Sequence, residues 1–240
     1  MTTNENRLAT DLPIGPPVDT GPARRPERRA LSGRFVTLAP LDPAHHADAL
    51  YEGSHGAEKE CIWYYLFEGP FADLAAFKAH VETKARSEDP LFYAILDKPS
   101  RRALGYATLM RIDPTHRTIE VGNIMYTPAL QRTPGATEAM YLLAGYVFDE
   151  LGYRRYEWKC NDLNAPSKHA AVRLGFSFEG VFRNHMIVKG RNRDTAWFAM
   201  LDSEWPQRKA TFERWLAPEN FDADGRQRLA LSALNGVGSS

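Results

Sequence analysis

The 240-residue sequence has few cysteines, no excess of charge of either sign and no long apolar run. Two cysteines, Cys61 and Cys160, are too few for a disulfide framework and fit a reducing compartment. Thirty basic and thirty acidic residues give a formal net charge of zero, which argues against a dominant nucleic-acid or membrane-surface role. No stretch approaches the roughly 18 apolar residues of a spanning helix, and the first residues lack a signal-peptide core. We therefore expect a cytoplasmic protein with no nucleic-acid or membrane partner.

The composition suits one folded domain with tails. Hydrophobic residues make up 43% of the chain and charged residues 25%, which are ordinary globular values. Residues 1–30 are rich in proline and show no apolar period, so we expect a disordered or loosely attached N-terminal arm there. The folded domain is expected over residues 31–217, and a polar C-terminal tail over residues 218–240.

Hydrophobic periodicity and turn residues predict an α+β fold whose mixed, mainly antiparallel central sheet is flanked by helices. The strands are expected at residues 35–38, 91–96, 103–110, 118–126, 155–160, from 176, and 195–201. The helices are expected at residues 44–51, 72–87, 136–151, 166–174 and 204–216. Asp42-Pro43 predicts the start of the first helix, and Lys189-Gly190 predicts a hairpin turn between the last two strands.

The segment from Pro128 to Ala139 lies between a predicted strand and a long predicted helix. A loop that runs into a helix N-terminus is a natural anion site, because free backbone N–H groups and the helix dipole converge there. The pyrophosphate of coenzyme A would fit such a site. The alternative is that Thr133-Pro134-Gly135 is an ordinary turn that caps a core helix.

This segment resembles the acyl-CoA signature of the GNAT (GCN5-related N-acetyltransferase) superfamily, Gln/Arg-x-x-Gly-x-Gly/Ala. Gln131 and Ala136 match its two ends, and residues 136–139 (Ala-Thr-Glu-Ala) resemble the RimJ/RimL-like branch, which acetylates the N-termini of ribosomal proteins. Pro134 departs from the signature at its first glycine and removes one backbone donor. The resemblance implies acetyl-CoA as acyl donor and cofactor contacts from Gln131, Arg132, Thr133, Gly135, Ala136, Thr137, Asn164 and Ser167.

A second motif begins at Asn164 and ends with Gly175-Phe176, eleven and twelve residues later. It resembles the second half of the GNAT cofactor site, where the asparagine contacts the pantetheine arm. The family often has a tyrosine seven residues after that asparagine, which protonates the departing thiolate, but Ala171 stands there in this chain. By resemblance to the ribosomal branch, Ser167 is assigned a catalytic hydrogen bond to the thiolate. In the alternative interpretation Asn164 is a turn residue and Ser167 caps the next helix.

A carboxylate is the usual helper for an amine that must lose a proton. Glu120 lies on the strand before the cofactor loop, and burial among its apolar neighbours would raise its pKa, so it is the candidate general base. The alternative is a half-exposed glutamate in a cross-strand pair, and Glu157 on the next strand is a weaker candidate. No metal-ligand spacing is present, and we expect no metal site.

The function expected from these motifs is transfer of an acetyl group from acetyl-CoA to a primary amine by direct transfer in a ternary complex. The acceptor would be a protein or peptide N-terminus or a small amine, and Arg183, Arg191 and Arg193 could shape its pocket or be surface charges of the hairpin. The alternative function is a catalytically weak acyl-CoA-binding sensor or scaffold module, because Pro134 and Ala171 depart from the family pattern. A monomer and a homodimer are both compatible with the sequence.

Overall fold

The structure is a computed structural model that describes residues 13–236, so residues 1–12 and 237–240 lie outside it. One eight-stranded sheet has the order β1-β2-β3-β4-β5-β6-β8-β7. The strands are β1 (Leu31–Ser32), β2 (Val36–Pro40), β3 (Leu91–Asp97), β4 (Ala103–Asp113), β5 (Thr118–Tyr126), β6 (Arg155–Asn161), β7 (Ser177–Val188) and β8 (Arg191–Leu201). The helices are α1 (Pro43–Ser54), α2 (Leu74–Arg86), α3 (Pro134–Gly145), α4 (Ala165–Arg173), α5 (Trp205–Leu216) and α6 (Leu231–Leu234).

The mixed, mainly antiparallel sheet that the sequence predicts is confirmed. Within residues 13–236, only β5 and β6 pair in parallel, and α3 supplies the crossover that a parallel pair requires. Their ladder is short, since it begins at Thr118 opposite Arg155 and ends at Val121 opposite Trp158. Beyond that point each strand continues, β5 to Tyr126 and β6 to Asn161, without pairing to the other.

Helices cover both faces of the sheet because successive strand residues point to opposite sides. In β3, Phe92 and Ala94 join a core beneath α1 and α2, whereas Tyr93 and Ile95 join a larger core beneath α3 and α5. The start of α1 is as predicted: the side chain of Asp42 accepts a hydrogen bond from the Ala44 N–H at 2.8 Å.

The helix predicted to run to residue 151 changes its hydrogen bonding before that. Its α-helical part ends at Gly145, and a π-helical turn over Tyr146–Glu150 completes it. Gly152 follows with φ of 78°, a left-handed conformation that ends the helix where the sequence predicts.

The N-terminal arm is not loosely attached over residues 23–30. The Glu27 N–H donates to the hydroxyl of Tyr146 at 2.8 Å, and Arg29 forms an ion pair with Glu150. Ala23 is buried in the core. Residues 23–30 contain no helix or strand, but hydrogen bonds to distant residues hold the segment, which its composition does not reveal. The first 12 residues of the predicted arm lie outside the described residues.

The predicted polar tail is likewise packed against the domain in its described part. Asn220 is buried and donates from its side chain to the Trp215 carbonyl at 2.9 Å. Leu231, the first residue of α6, is fully buried in the core. The folded domain therefore extends to α6, and residues 237–240 lie outside the described residues.

Candidate acetyl-transfer site

The site is centred on a gap in the sheet. The β5–β6 ladder stops at Val121 and Trp158. Residues 122–126 of β5 therefore have no β6 partner on the strand edge that faces away from β4. Asn123 has φ of 47°, and the β4–β5 register shifts around it, so β5 bulges at the opening. An extended ligand could hydrogen-bond to this free strand edge as another strand would.

The N-terminus of α3 lies beside this gap. Thr133 caps the helix: its Oγ1 accepts from the Ala136 N–H at 3.2 Å and donates to the Leu130 carbonyl at 2.7 Å. Pro134 is the first helical residue, a position that tolerates a missing N–H. The helix therefore starts two residues before the predicted residue 136, and Thr133-Pro134-Gly135 is its cap and first two residues, not a separate turn. The cap already engages the Ala136 N–H.

Gly135 has a packing role that the motif does not indicate. A Cβ at this position would lie 2.8 Å from Cγ1 of Val36, so the first turn of α3 sits against β2 too closely for a side chain. Arg132 is exposed with φ of 61°, and exposed Gln131 donates from its side chain to the Tyr126 carbonyl at 3.0 Å. Both could still reach a phosphate.

Thr137 is buried, and its hydroxyl accepts a hydrogen bond from Arg173 at 3.1 Å. This bond ties the first turn of α3 to the end of α4. The Thr137 oxygen thus has a donor within the protein, and the cofactor contact predicted from the sequence stays a prediction.

Ser167 and Asn164 form the start of α4 on the other side of the gap. The side chain of Asn164 caps the helix by accepting from the Ser167 N–H at 3.1 Å, as in the alternative interpretation of the sequence. The Ser167 hydroxyl accepts from the indole N–H of Trp158 at 3.0 Å. Trp158 is the last residue of β6 that pairs with β5, so the hydroxyl is held at the point where these two strands separate.

Glu120 lies one residue before the gap on β5, and it is buried but not among apolar groups. Its Oε2 contacts Arg111 at 2.6 Å and the ammonium group of Lys159 at 3.0 Å. Lys159 also contacts Glu157 at 2.6 Å and lies 3.8 Å from the centroid of the Trp197 ring. Glu120 is thus buried, as the sequence analysis assumed for a base, but two cations share one of its oxygens.

Comparisons with known proteins agree with this architecture. The sequence profile of the acetyltransferase (GNAT) domain matches residues 36–177. A GCN5-related N-acetyltransferase structure from Brucella melitensis is 50% identical, covers 90% of this chain and 98% of its own, and superimposes with a TM-score of 0.88. A GNAT-family structure from Chromobacterium violaceum is 41% identical over 81% of this chain and 99% of its own, with a TM-score of 0.75. The N-acetyltransferase YnaD of Bacillus subtilis is 28% identical over 60% of this chain and 82% of its own length.

The chain belongs to the GNAT acetyltransferase family. Members of this family use acetyl-CoA as acyl donor and act on amine acceptors. The chain is therefore an acetyltransferase, and the resemblance of its two motifs to that superfamily is confirmed at the level of the family. Ala171, at the position of the tyrosine that many GNAT enzymes carry, is fully buried in the core and has no polar atom to offer a thiolate.

Glu157, the weaker candidate base from the sequence, is held by two cations. Burial raises the pKa of Glu157, but hydrogen bonds from Lys159 and Arg155 outweigh it and hold that pKa below its ordinary value. Cys160 is no nucleophile in this setting, because burial raises the pKa of its thiol against an opposing hydrogen bond from Ser167. A covalent acetyl-cysteine step is thus unsupported.

Sequence reasoning missed the cations of this GNAT site. Lys159 alternates with the apolar residues of β6, but nothing local in the sequence indicates that it joins two glutamates. Of the three hairpin arginines, Arg183 and Arg191 are exposed and Arg193 is buried. Residues 13–236 contain no group of three or more metal-ligating side chains and no helix long and apolar enough to cross a membrane.

Proposed function

We propose that this acetyltransferase moves an acetyl group from acetyl-CoA directly to a primary amine while both are bound. The observation that carries the proposal is the gap between β5 and β6, which has Ser167 and Glu120 on opposite faces of the sheet. Trp158, which holds Ser167, packs in the core beneath α3 and α5, whereas Glu120 pairs in register with Glu157 on the other face. A thioester in the gap would be open to an amine from the Glu120 face. Direct transfer gains its rate largely from such positioning.

Ser167 is proposed to stabilise the departing thiolate. Its oxygen accepts the Trp158 N–H, which leaves the hydroxyl proton as the donor of this side chain. The Cys160 sulfur beside it also accepts from Ser167, so the departing thiolate would compete with that thiol for the proton. A donor fixed in this way costs little reorganisation when negative charge develops on sulfur. This arrangement replaces the tyrosine that is absent at Ala171.

Glu120 is proposed to accept the proton of the amine, through a water molecule, with its Oε1. Arg111 and Lys159 both contact Oε2, which leaves the other oxygen as the acceptor. The two cations hold the carboxylate in one orientation, as a positioned base requires.

The test is to substitute Ser167→Ala and Glu120→Gln and to measure turnover and acetyl-CoA binding separately. We expect each change to lower kcat by about 10²- to 10⁴-fold, the range for a positioned acid or base, with acetyl-CoA binding intact. Matched controls are Ser177→Ala and Glu58→Gln, both at exposed positions. Unchanged kcat in either test variant would remove that residue from the mechanism.

The alternative, an acyl-CoA sensor or scaffold, draws on Pro134 and Ala171. Calorimetric titration with acetyl-CoA, followed by a broad screen of amines, separates the two functions. Tight binding without acetylation of any amine would favour the sensor. Acetylation of an amine would favour the enzyme.

The acceptor class and location remain predictions. The Ala-Thr-Glu-Ala segment at residues 136–139 and Ser167 support a peptide or protein N-terminus by their resemblance to the ribosomal branch, and a small amine is the alternative. The cytoplasmic location and the choice between monomer and homodimer also stay predictions.

A further inference from the structure

Arg193, on β8, is a buried cation without a carboxylate partner. It is only 7% exposed, and no carboxylate of residues 13–236 lies within salt-bridge distance of it. Its Nε is buried without a hydrogen-bond acceptor in the described chain. The nearest charge-stabilising contact is the ring of Phe67, whose centroid is 5.1 Å from the guanidinium carbon. Burial lowers the pKa of Arg193, which shows that the charged form is costly where it stands.

Arg193 is on the Glu120 side of the gap, from which the acceptor amine is proposed to approach. Thr195 pairs with Asn161, the last residue of β6, and Arg193 is two residues further along β8 on the same side of the strand. The charges of Glu120 and Arg111 both act on it. The loop that carries Phe67 closes over this end of β8. The Tyr65 hydroxyl donates to the Leu163 carbonyl at 3.1 Å in that closure.

The charges around the gap leave one cation in excess. The charged side chains beside the gap comprise three carboxylates, each paired with a cation, and four cations. The carboxylates are Glu120, Glu157 and Glu179, and the cations are Arg111, Arg155, Lys159 and Arg193. One singly charged anion would complete the balance. A carboxylate carries the single negative charge that balances the excess cation, whereas a phosphate dianion carries two. The two oxygens of a carboxylate also match the planar fork of a guanidinium.

We propose that Arg193 binds a carboxylate of the acceptor, so that the substrate class is an amine that also carries a carboxylate, such as an amino acid or a short peptide. This inference rests on the proposed acetyl transfer to an amine and narrows its acceptor. The acceptor carboxylate would supply the partner that the buried guanidinium lacks, while the amine end lies toward Glu120.

The test compares matched ligands that differ only in the carboxylate. The probes are leucine against isopentylamine, phenylalanine against 2-phenylethylamine, and β-alanine against O-phosphoethanolamine as the phosphate arm. Binding to the protein saturated with desulfo-CoA is measured by calorimetry, and turnover with acetyl-CoA is measured separately. The variants are Arg193→Met, Arg193→Lys, and the control Arg191→Met, which changes an exposed arginine two residues away on the same strand.

We expect the unmodified protein to bind the carboxylate member of a pair roughly 10- to 100-fold more tightly, the factor for a hydrogen bond to a charged group. Arg193→Met should abolish that preference, Arg193→Lys should reduce it, and Arg191→Met should retain it. The thermal midpoint shows whether Arg193→Met folds. If it does not fold, the carboxylate preference of Arg193→Lys decides the test.

Several outcomes would overturn the inference. Equal binding within every pair, including no binding of either member, rejects it, and so does tighter binding of O-phosphoethanolamine than of β-alanine. Equal acetylation of both members of a pair rejects the carboxylate assignment and leaves the proposed function intact. Carboxylate-dependent binding without any turnover supports the Arg193 assignment and rejects the proposed function.

Discussion

Glu138 holds the turn before β2 against α3, and replacing it with glutamine tests that role. Its carboxylate is 5% exposed and accepts three backbone hydrogen bonds. Oε1 accepts from the N–H of Arg34 at 2.7 Å, and Oε2 accepts from the N–H groups of Phe35 at 2.7 Å and Val36 at 2.9 Å. The same residue belongs to the Ala-Thr-Glu-Ala segment at residues 136–139.

The expected magnitude follows from the acceptor count. Glutamine has one acceptor oxygen and one amino group, so Glu138→Gln loses at least one charge-assisted hydrogen bond and turns N–H groups toward a buried backbone N–H. A hydrogen bond to a charged group contributes about 1.5–3 kcal/mol, and a buried donor left without an acceptor adds to the loss. We expect the free energy of unfolding to fall by about 2–4 kcal/mol.

Urea unfolding followed by circular dichroism measures this change. The control is Glu82→Gln on the exposed face of α2, where an ion pair with Arg86 is worth about 0.3–0.5 kcal/mol. A loss below about 1 kcal/mol for Glu138→Gln would refute the reasoning, because a surface substitution can produce that much. A large loss with a changed m-value would instead point to an altered unfolded or native state.

Two other predictions concern packing and pH. Gly135→Ala places a Cβ 2.8 Å from Val36, so urea unfolding should show a loss of about 1–3 kcal/mol. Gly145→Ala should gain about 0.5–1 kcal/mol, because Gly145 has helical backbone at the junction of α3 and the π-helical turn and the nearest atom to its Cβ would be 3.7 Å away. Equal effects at the two glycines would contradict the packing argument. Burial lowers the pKa of three histidines in the α1–α2 layer. The unfolded chain therefore binds more protons than the folded one below pH about 6.5. As a result, the free energy of unfolding should fall as the pH drops from about 7 to 5. A flat stability profile over that range would contradict the burial of neutral imidazoles at His46, His55 and His80.

Local signals in the sequence predicted the elements of the fold well. Lys189 and Gly190 both have positive φ and form the tight turn between β7 and β8, as that dipeptide indicates. Asp42 and Pro43 begin α1 as expected. These features depend on neighbouring residues alone, and for that reason a single sequence contains enough information to place them.

The arm and the tail could not be predicted because their partners are distant in the sequence. Arg29 pairs with Glu150, and the side chain of Asn235 near the C-terminus donates to the Arg173 carbonyl at 3.0 Å. A segment with proline and charge can be either solvated or fixed by such contacts. Its composition is the same in both cases, so composition alone favoured the wrong description.

The different burial of two hairpin arginines at the site could not be predicted from the sequence either. Arg191 and Arg193 have the same parity on β8, so an alternating pattern gives them the same side of the strand. Arg191 is exposed, whereas Arg193 is buried beneath the loop that carries Phe67. Burial there depends on a loop more than 120 residues earlier in the chain, and no periodicity encodes it.

The environment of Glu120 could not be predicted from neighbouring residues, because it depends on the register between β5 and β6. Parallel pairing sets Glu120 directly beside Glu157, and two buried carboxylates at that spacing need a shared cation. Lys159 provides it, so Glu120 has a structural task as well as the proposed catalytic one. The two tasks are compatible because they use different oxygens: Oε2 binds the cations, and Oε1 lies next to Gly122, where a Cβ would come within 3.2 Å of it. A Cβ at Gly122 would also lie 2.6 Å from Sδ of Met110, so the glycine makes room for the Met110 side chain beside Oε1.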